Sequence, residues 1–214
     1  LGGAFAASLN DSRFSPPADG GQPENALSGT MYMNDRTNVD LGIPLTVSSA
    51  DSALRFWRSS AVASLSAGQT ATLGQYIVGY ETDEDVDNGV RPAGLIDMSS
   101  TTFNTTSHVI SSWGTDEGPG TSTHKITLYR AASGALVFGA GTPQWSWGLD
   151  YHHNDNPSAT DTTDPSIQQA TVNLLADMHA TAGNLQAGLT PASASSDTSA
   201  PSIVISSPAT GLSF

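Results

Sequence analysis

The stretch that decides the fold is ALVFGAGTPQWSWGLD, residues 135–150, together with the helical segment IQQATVNLLADMHA that follows it. The first part has the composition of a buried strand. It is interrupted at Gly139 and Gly141, where the backbone can turn sharply or approach another group closely. Trp145 and Trp147 would share one face of an extended chain, either lining a pocket or packing in the core. A strand that leads through a glycine-rich turn into a helix predicts an α/β arrangement with a pocket at the strand end.

The elements around this stretch are short and mostly extended. A hairpin is predicted at HKITLYRAASGALVFGAGT, with its turn at 132–134, because two alternating apolar runs flank that turn. Asp164 and Pro165 begin the one predicted helix, and Gly183 ends it. QTATL and QYIVGYET are predicted as a pair of strands, whereas GTDEGPGTSTHK is predicted to be a loop. The fold class is therefore mixed α/β and strand-rich, with one main C-terminal helix.

Composition excludes several classes of function. The 214 residues carry 7 Lys and Arg against 20 Asp and Glu, a net charge of −13, which argues against a nucleic-acid partner. The absence of cysteine excludes disulfides, thiol nucleophiles and cysteine-bound metals. No stretch approaches 18 apolar residues, so no membrane span is predicted. The acidic composition, rich in Ser, Thr and Gly, favours a secreted, extracellular protein.

Three regions are predicted along the chain. Residues 1–192 form the module, residues 193–201 have the composition of a linker, and residues 202–214 look like the first strand of a further domain. The apolar side chains of Ile203, Val204 and Ile205 have no local partner strand. We therefore expect residues 193–214 to lie outside the core.

An acidic loop, YETDEDVDNG, places five carboxylates within seven residues. Oxygen ligands at alternate positions, followed by a glycine, are what Ca²⁺ uses, although the spacing departs from an EF-hand. The predicted calcium ligands are Asp83, Asp85, Asp87 and Asn88. The alternative is a solvated loop, or an aspartate paired with Arg91.

Glu81 is a separate candidate, because it ends the apolar strand QYIVGYE. A buried carboxylate at a strand end can act as a metal ligand or as a general base. The structural alternative is a salt bridge to Arg91 or Arg58.

Histidines and aromatic residues supply weaker signals. His152, His153 and Asp155 form a loose metal motif that an exposed polar loop would also explain. The isolated His124 flanks a strand, where we expect it to be packed or hydrogen-bonded. Aromatic rings near polar loops can stack on sugars, and the candidates for this are Trp113, Trp145, Trp147 and Tyr151. A candidate pocket comprises Trp145, Trp147, His152, His153 and Asp155.

Several long segments resemble one protein family. They are RFSPPADGGQPENALSG, RFWRSSAVASLSAGQTATL, VGYETDEDVDNGVRPAGL and ALVFGAGTPQWSWGLD, followed by QQATVNLLADM. They are similar to the C-terminal module of the large (β) subunit of N,N-dimethylformamidase, which also occurs in large secreted multidomain bacterial proteins. The resemblance covers most of residues 10–192. It implies a glutamine-amidotransferase-like α/β sandwich with β insertions, followed from residue 202 by immunoglobulin-like domains.

The resemblance also implies a function, the hydrolysis of a small amide at a mononuclear iron held by tyrosines and a glutamate. Glu81 lies in the segment that supplies a carboxylate near that centre. The family's upstream Gly-Asn-x-x-x-Trp element and tyrosine ligands have no obvious counterparts in this chain. We therefore expect an incomplete or inactive half-site, with neighbouring domains of the same polypeptide as partners. The alternative is a non-catalytic carbohydrate-binding or structural module.

Overall fold

The computed structural model describes residues 24–35, 42–111, 116–152 and 162–197, together with 199 and 202. The described chain is strand-rich and has one main helix, which confirms the predicted class. Its strands are β1 (Met31–Asp35), β2 (Ile43–Ser48), β3 (Thr70–Val78), β4 (Glu81–Glu84), β5 (Ile96–Ser111), β6 (Asp116–Arg130) and β7 (Leu136–Gly139). Its helices are α1 (Asn25–Ser28), α2 (Pro165–Asp177) and the 3-10 helices Arg55–Trp57, Ala61–Ser64 and Pro143–Gly148.

The main sheet closes on itself. Its strand order is β4-β1-β5-β6-β7, and β4 also pairs with β6, so β4, β1, β5 and β6 form a ring. Strands β2 and β3 make a separate two-stranded ribbon. Every pairing in the described ranges is antiparallel. The amidotransferase-like sandwich and the division at 192 and 202 stay predictions.

The core forms where the ribbon, the main sheet and α2 meet. Fully buried side chains come from all three, with Leu45 on the ribbon, Ile126 on β6 and Ile167 on α2. The Trp57 indole lies among them and donates from Nε1 to the Met98 carbonyl over 2.8 Å. Burial of these apolar surfaces is the main stabilising contribution to the arrangement.

Helix α2 begins as predicted. Asp164 is the N-cap, and its Oδ1 accepts from the Ser166 N–H at 2.8 Å, with Pro165 at the first helical position. The buried face of α2 includes a polar residue, Asn173, whose Nδ2 donates to the Phe56 carbonyl over 2.9 Å. The apolar Leu175, in contrast, is 40% exposed.

The predicted end of α2 at Gly183 is wrong, because the helix ends at Asp177. His179 adopts a left-handed conformation with φ +61°. The Ala180 N–H then reaches back to the Leu175 carbonyl over 2.8 Å. This i to i+5 bond around a left-handed residue closes the helix without a glycine.

Three local predictions are corrected by the sheet. QTATL and QYIVGYET are not a strand pair, because β3 runs through both, bending at the left-handed residues Gly74 and Tyr76, and β4 follows as a separate strand. GTDEGPGTSTHK belongs largely to β6, because pairing with β5 outweighs its loop-like composition. Trp145 and Trp147 lie in a 3-10 helix and not in extended chain, whereas the hairpin of β6 and β7 is confirmed.

Candidate active site

The acidic strand β4 and the glycine-rich turn after β7 lie against each other. The backbone N–H of Asp83 donates to the Gly141 carbonyl over 2.8 Å, and the Gly79 N–H donates to Thr142 Oγ1 over 3.0 Å. Gly141 has φ +64°, and a Cβ atom there would lie 2.5 Å from the Lys125 carbonyl oxygen. The close approach predicted for this glycine is confirmed. This close approach joins β4 to the turn after β7, the two stretches that carry most of the predicted site residues.

Glu84, the last residue of β4, accepts three hydrogen bonds on one carboxylate oxygen. Its Oε1 accepts from Ser122 Oγ at 2.7 Å, from the Thr123 N–H at 3.1 Å and from His108 Nε2 at 3.1 Å. The side chains of Glu84 and His108 are 18% and 20% exposed. Because a carboxylate only accepts hydrogen bonds, the contact places a proton on His108 Nε2. The result is a half-buried carboxylate–imidazole pair.

A glycine on the neighbouring strand makes room for His108. A Cβ atom on Gly120 would lie 2.9 Å from the Cβ of His108 and 3.4 Å from its Nδ1. The β5–β6 register shifts just before His108, a local irregularity of the kind that re-aims a side chain. The missing side chain at 120 thus leaves space beside Nδ1, the ring nitrogen that does not contact Glu84.

His124 lies across from Glu84 in the β4–β6 pairing. It is fully buried, and its Nε2 donates to the Ala140 carbonyl over 2.9 Å, as expected of a packed, hydrogen-bonded histidine. Burial lowers the pKa of His124 to about 4, so the ring is neutral at pH 7. With the proton on Nε2, Nδ1 carries a lone pair, which has no hydrogen-bond partner in the described residues.

Two buried polar side chains next to the Glu84–His108 pair lack partners within the described ranges. Asn34 and Thr82 face each other on β1 and β4, and Asn34 is also opposite His108 on β5. Both are fully buried, and neither the Asn34 amide nor Thr82 Oγ1 has a hydrogen-bond partner there. Each such group costs about 1–3 kcal/mol of stability. Thr127 and Gln144 also bury polar atoms without partners elsewhere in the described residues, so it is the combination with the Glu84–His108 pair that makes this part of the ring the candidate site.

Glu81 is the first residue of β4, at the opposite end of this strand from Glu84. It is half-buried and lies across from Asp35 of β1. The two arginines named as its structural alternative bind other carboxylates. Arg91 pairs with Asp85 and Arg58 with Asp177.

The four predicted calcium ligands point in different directions. Asp83 accepts from Thr30 Oγ1 at 2.8 Å, and burial raises its pKa. Asp85 accepts a hydrogen bond from Arg91 Nε at 2.7 Å and another from Arg91 Nη2 at 2.6 Å. Asn88 exchanges side-chain hydrogen bonds with Asn25, and Asp87 is exposed. Across the described part of the chain, no three Asp, Glu or His side chains come together as metal ligands.

The predicted pocket residues are also dispersed. Trp145 is 9% exposed and packs in the core, with its ring 5.7 Å from that of Phe138. Trp147 is half-buried against the same core. His152 is exposed. His153, Asp155 and Trp113 lie outside the described residues, as do Ile203, Val204 and Ile205.

Sequence reasoning missed the cluster of Glu84, His108, Ser122 and His124. The four residues come from three strands, and their proximity depends on the β4–β6 pairing that closes the ring. In the sequence alone, Glu84 is one of five loop carboxylates and His108 is an isolated histidine. Ser122 and His124 are two residues apart, which places their side chains on one face of a strand, and this spacing was the indication of the cluster in the sequence.

Comparison with known proteins identifies one relationship. The family model described as N,N-dimethylformamidase beta subunit-like, C-terminal, matches residues 6–158. No curated protein and no solved structure matches the chain significantly. In the described part of the chain, every helix is too short or too polar to cross a bilayer.

Proposed function

The chain belongs to the N,N-dimethylformamidase beta subunit-like C-terminal family, and we propose that it is an amide hydrolase-like module whose chemistry lies along β4. One observation carries this proposal. Glu84 and His108 form a half-buried carboxylate–imidazole pair, 3.1 Å apart, inside a ring that also buries a neutral His124. An imidazole that is oriented by a hydrogen bond to a carboxylate is a recurring arrangement in catalytic sites.

The proposed chemistry is general acid–base catalysis of C–N hydrolysis. Glu84 holds the proton on His108 Nε2, so Nδ1 is the nitrogen that can take a proton from a water molecule. As that water attacks the amide carbonyl, a C–O bond forms, and the proton moves to Nδ1. His108 then returns the proton to the amine nitrogen as the C–N bond breaks, which leaves a carboxylic acid and an amine.

Glu81 enters the proposal through the family resemblance, which assigns it a role as metal ligand or base. The iron of the family would need tyrosine and glutamate ligands together. Within the described residues no carboxylate or imidazole trio forms, and Tyr129, for example, donates its hydroxyl to the Leu27 carbonyl over 2.6 Å. The proposed steps therefore rely on Glu84 and His108 and on no metal ion.

The test is amide hydrolysis by the full polypeptide that contains this chain, with release of dimethylamine from N,N-dimethylformamide as the readout. We expect His108→Gln to lower kcat by about 10²–10⁴-fold with little change in KM. His152→Gln, a matched change at an exposed histidine, should leave kcat unchanged. An inactive wild-type polypeptide, or equal kcat values for the two variants, would overturn the proposal.

The alternative function, a carbohydrate-binding or structural module, has one observation in its favour. Tyr151 is 56% exposed, and its ring centroid lies 4.0 Å from that of His152. Exposed stacked rings can pack on a sugar face. Tyr151→Ala should then abolish binding to a glycan that the wild type retains, whereas His108→Gln should not affect that binding.

The same proposal includes the setting of the module. We infer a secreted multidomain polypeptide with an amidotransferase-like sandwich and an immunoglobulin-like domain that begins at 202, on the basis of the acidic composition and the linker-like residues 193–201. Its partners are then neighbouring domains of the same polypeptide and a small amide. Recovery of the native protein from culture medium tests this, and exclusive recovery from the cell interior would contradict it.

A further inference from the structure

An apolar cavity of about 270 Å³ lies at the other end of β5 and β6 from the Glu84–His108 pair. The sheet supplies Met98, Leu128 and Leu136 to its lining, and Phe56 and Leu174 line it from the neighbouring helices. Met98 in the lining and His108 of the pair are ten residues apart on β5, roughly 33 Å of extended strand, and Leu128 and Ser122 are six residues apart on β6, roughly 20 Å. The cavity is therefore separate from the site along β4.

Basic groups line this cavity although the chain as a whole is strongly acidic. Two of the seven Lys and Arg residues, Arg55 and Arg130, are among its lining residues, together with His179. Among the described residues of the lining, Asp177 is the acidic one, and it is already bound by Arg55 at 3.0 Å and by Arg58 at 2.9 Å. The negative charge in the lining is thus neutralised, and positive charge remains.

Arg130 is the cation best placed to meet an anionic group. Its Nη1 donates to the Gly134 carbonyl over 2.7 Å, and the side chain pairs with no carboxylate of the described residues. A guanidinium carries five N–H donors, so most of its hydrogen-bonding capacity is not used by that contact. A carboxylate can accept two of these donors side by side.

The segment 190–195, called the tail here, borders the cavity on another side. Arg55 Nη2 donates to the Ser193 carbonyl over 2.6 Å, and Ser195 contributes to the lining. Gln169 of α2 holds the tail further upstream through two hydrogen bonds to the Thr190 backbone, at 2.7 and 2.9 Å. The cavity is therefore a built recess with walls from the sheet, the helices and the tail.

The apolar lining is not fully covered by the protein itself. Ile96, which belongs to it, is 48% exposed, and Leu128 and Leu136 are half-buried. Burying such surface in an apolar ligand is favourable, by the same effect that forms the core. The volume suits a ligand of about nine or ten non-hydrogen atoms, if each occupies roughly the 30 Å³ of a water molecule.

We propose that this cavity binds a small amphiphilic carboxylate. The apolar body lies against Met98, Leu128 and Leu174, and the carboxylate meets the Arg130 guanidinium. An apolar recess with one charged group that orients the ligand is the usual design of a small-molecule site.

The test is titration calorimetry of the full chain with octanoate, and with octanamide as the neutral molecule of matched length. We expect octanoate to bind about threefold to fivefold more tightly than octanamide to the wild type, because Arg130 is exposed and a solvent-accessible ion pair contributes up to about 1 kcal/mol. Arg130→Gln should weaken octanoate binding by about that factor and leave octanamide binding unchanged. Equal affinities for the two molecules in the wild type, or no binding of octanoate, would overturn the proposal.

A second pair of variants tests the place of binding. Ile96→Glu puts a charge in the lining at a half-exposed position that the fold tolerates, and it should reduce octanoate affinity at least tenfold. Leu27→Glu makes the same change at a side chain that is 75% exposed and does not belong to the lining, and it should have no effect. Equal octanoate affinities for these two variants would place any binding elsewhere and contradict the assignment.

Discussion

Strands β5 and β6 run through both of the candidate sites, and their two ends differ in what they bury and what they expose. At the ring end, a half-buried carboxylate–imidazole pair lies beside the buried Asn34 amide, which has no partner in the described residues. At the cavity end, apolar side chains such as Ile96 stay partly exposed, although Asp97 Oδ1 and Thr127 Oγ1 are also buried there without partners in the described residues. Neither arrangement is favoured by burial energetics alone. One sheet thus carries an acid–base pair at one end and a partly exposed apolar recess at the other.

The largest expected effect on stability comes from a substitution at Gly141, which lies against the ring. Gly141→Ala combines a left-handed backbone with a Cβ atom 2.5 Å from the Lys125 carbonyl oxygen and 2.9 Å from His124 Nε2. We expect a loss of about 4 kcal/mol in the free energy of unfolding, measured by denaturant titration.

Gly134→Ala is the matched control for that change. Gly134 also has a left-handed φ, +89°, but no atom lies within 4 Å of the place that a Cβ would occupy. Only the backbone preference is then lost, about 1 kcal/mol. Equal losses in the free energy of unfolding for the two variants would contradict the close approach of Gly141 to Lys125 and His124.

The second largest effect is expected from acidification, which should lower the free energy of unfolding through His124. The pKa of His124 is about 4 in the folded chain, against about 6.5 for an unfolded histidine. Between these values the unfolded chain binds a proton that the folded chain does not. The free energy of unfolding should therefore fall as the pH drops from about 6.5 to 4, by on the order of 3 kcal/mol from this residue.

His124→Gln isolates that contribution, because a glutamine amide can still donate to the Ala140 carbonyl without titrating. Asp83 acts with the opposite sign, since burial raises its pKa and acidification relieves the cost of its buried charge. The free energy of unfolding is therefore measured by urea titration at several pH values, for the wild type and for His124→Gln. If the free energies of the two proteins changed with pH in parallel, this would contradict the assignment of His124 as a buried, neutral histidine.

A smaller effect is expected at the rim of the cavity. Asp177→Asn removes the ion pairs with Arg55 and Arg58, whose side chains are 44% and 21% exposed. Pairs this accessible to solvent contribute about 1 kcal/mol in total. Thermal unfolding should show a modest drop in Tm that shrinks in 1 M salt, and a drop independent of salt would point to packing instead of charge.

The smallest expected effect concerns calcium in the acidic loop. A Ca²⁺ ion that used Asp85 would have to displace Arg91, so we expect at most a slight rise in Tm with millimolar CaCl₂ relative to EDTA. Asp85→Ala should abolish any such rise, and Asp51→Ala, outside the loop, should not. Identical midpoints for the wild type in both conditions would remove the calcium prediction.

Local signals allowed part of the fold to be predicted. The N-cap Asp164 with Pro165, and the hairpin turn at 132–134, each act over a few residues, so their effect can be deduced from the sequence alone. The close approach at Gly141 is predictable for the same reason. The loop-like composition of GTDEGPGTSTHK misled, because pairing with a distant strand decided its conformation.

The candidate site could be predicted only in pieces. The acidic segment and the glycine-rich turn each stand out in the sequence, but their contact through Asp83 and Gly141 depends on tertiary structure. The Glu84–His108 pair joins residues 24 positions apart, and its geometry follows from a register that includes bulges. A shift of one residue would turn every side chain to the other face, so composition cannot locate such a pair.

The closure of the ring has a consequence for synthesis of the protein. Strands β1 and β4 leave the ribosome before β5 and β6 emerge, yet β1 pairs with His108 and β4 with His124. Until those residues emerge, the nascent chain carries unpaired strand edges that invite association with other chains. The contacts that join the ring are also distant in sequence, which slows folding. Translation speed across residues 85–124 thus sets how long each new molecule is vulnerable to aggregation.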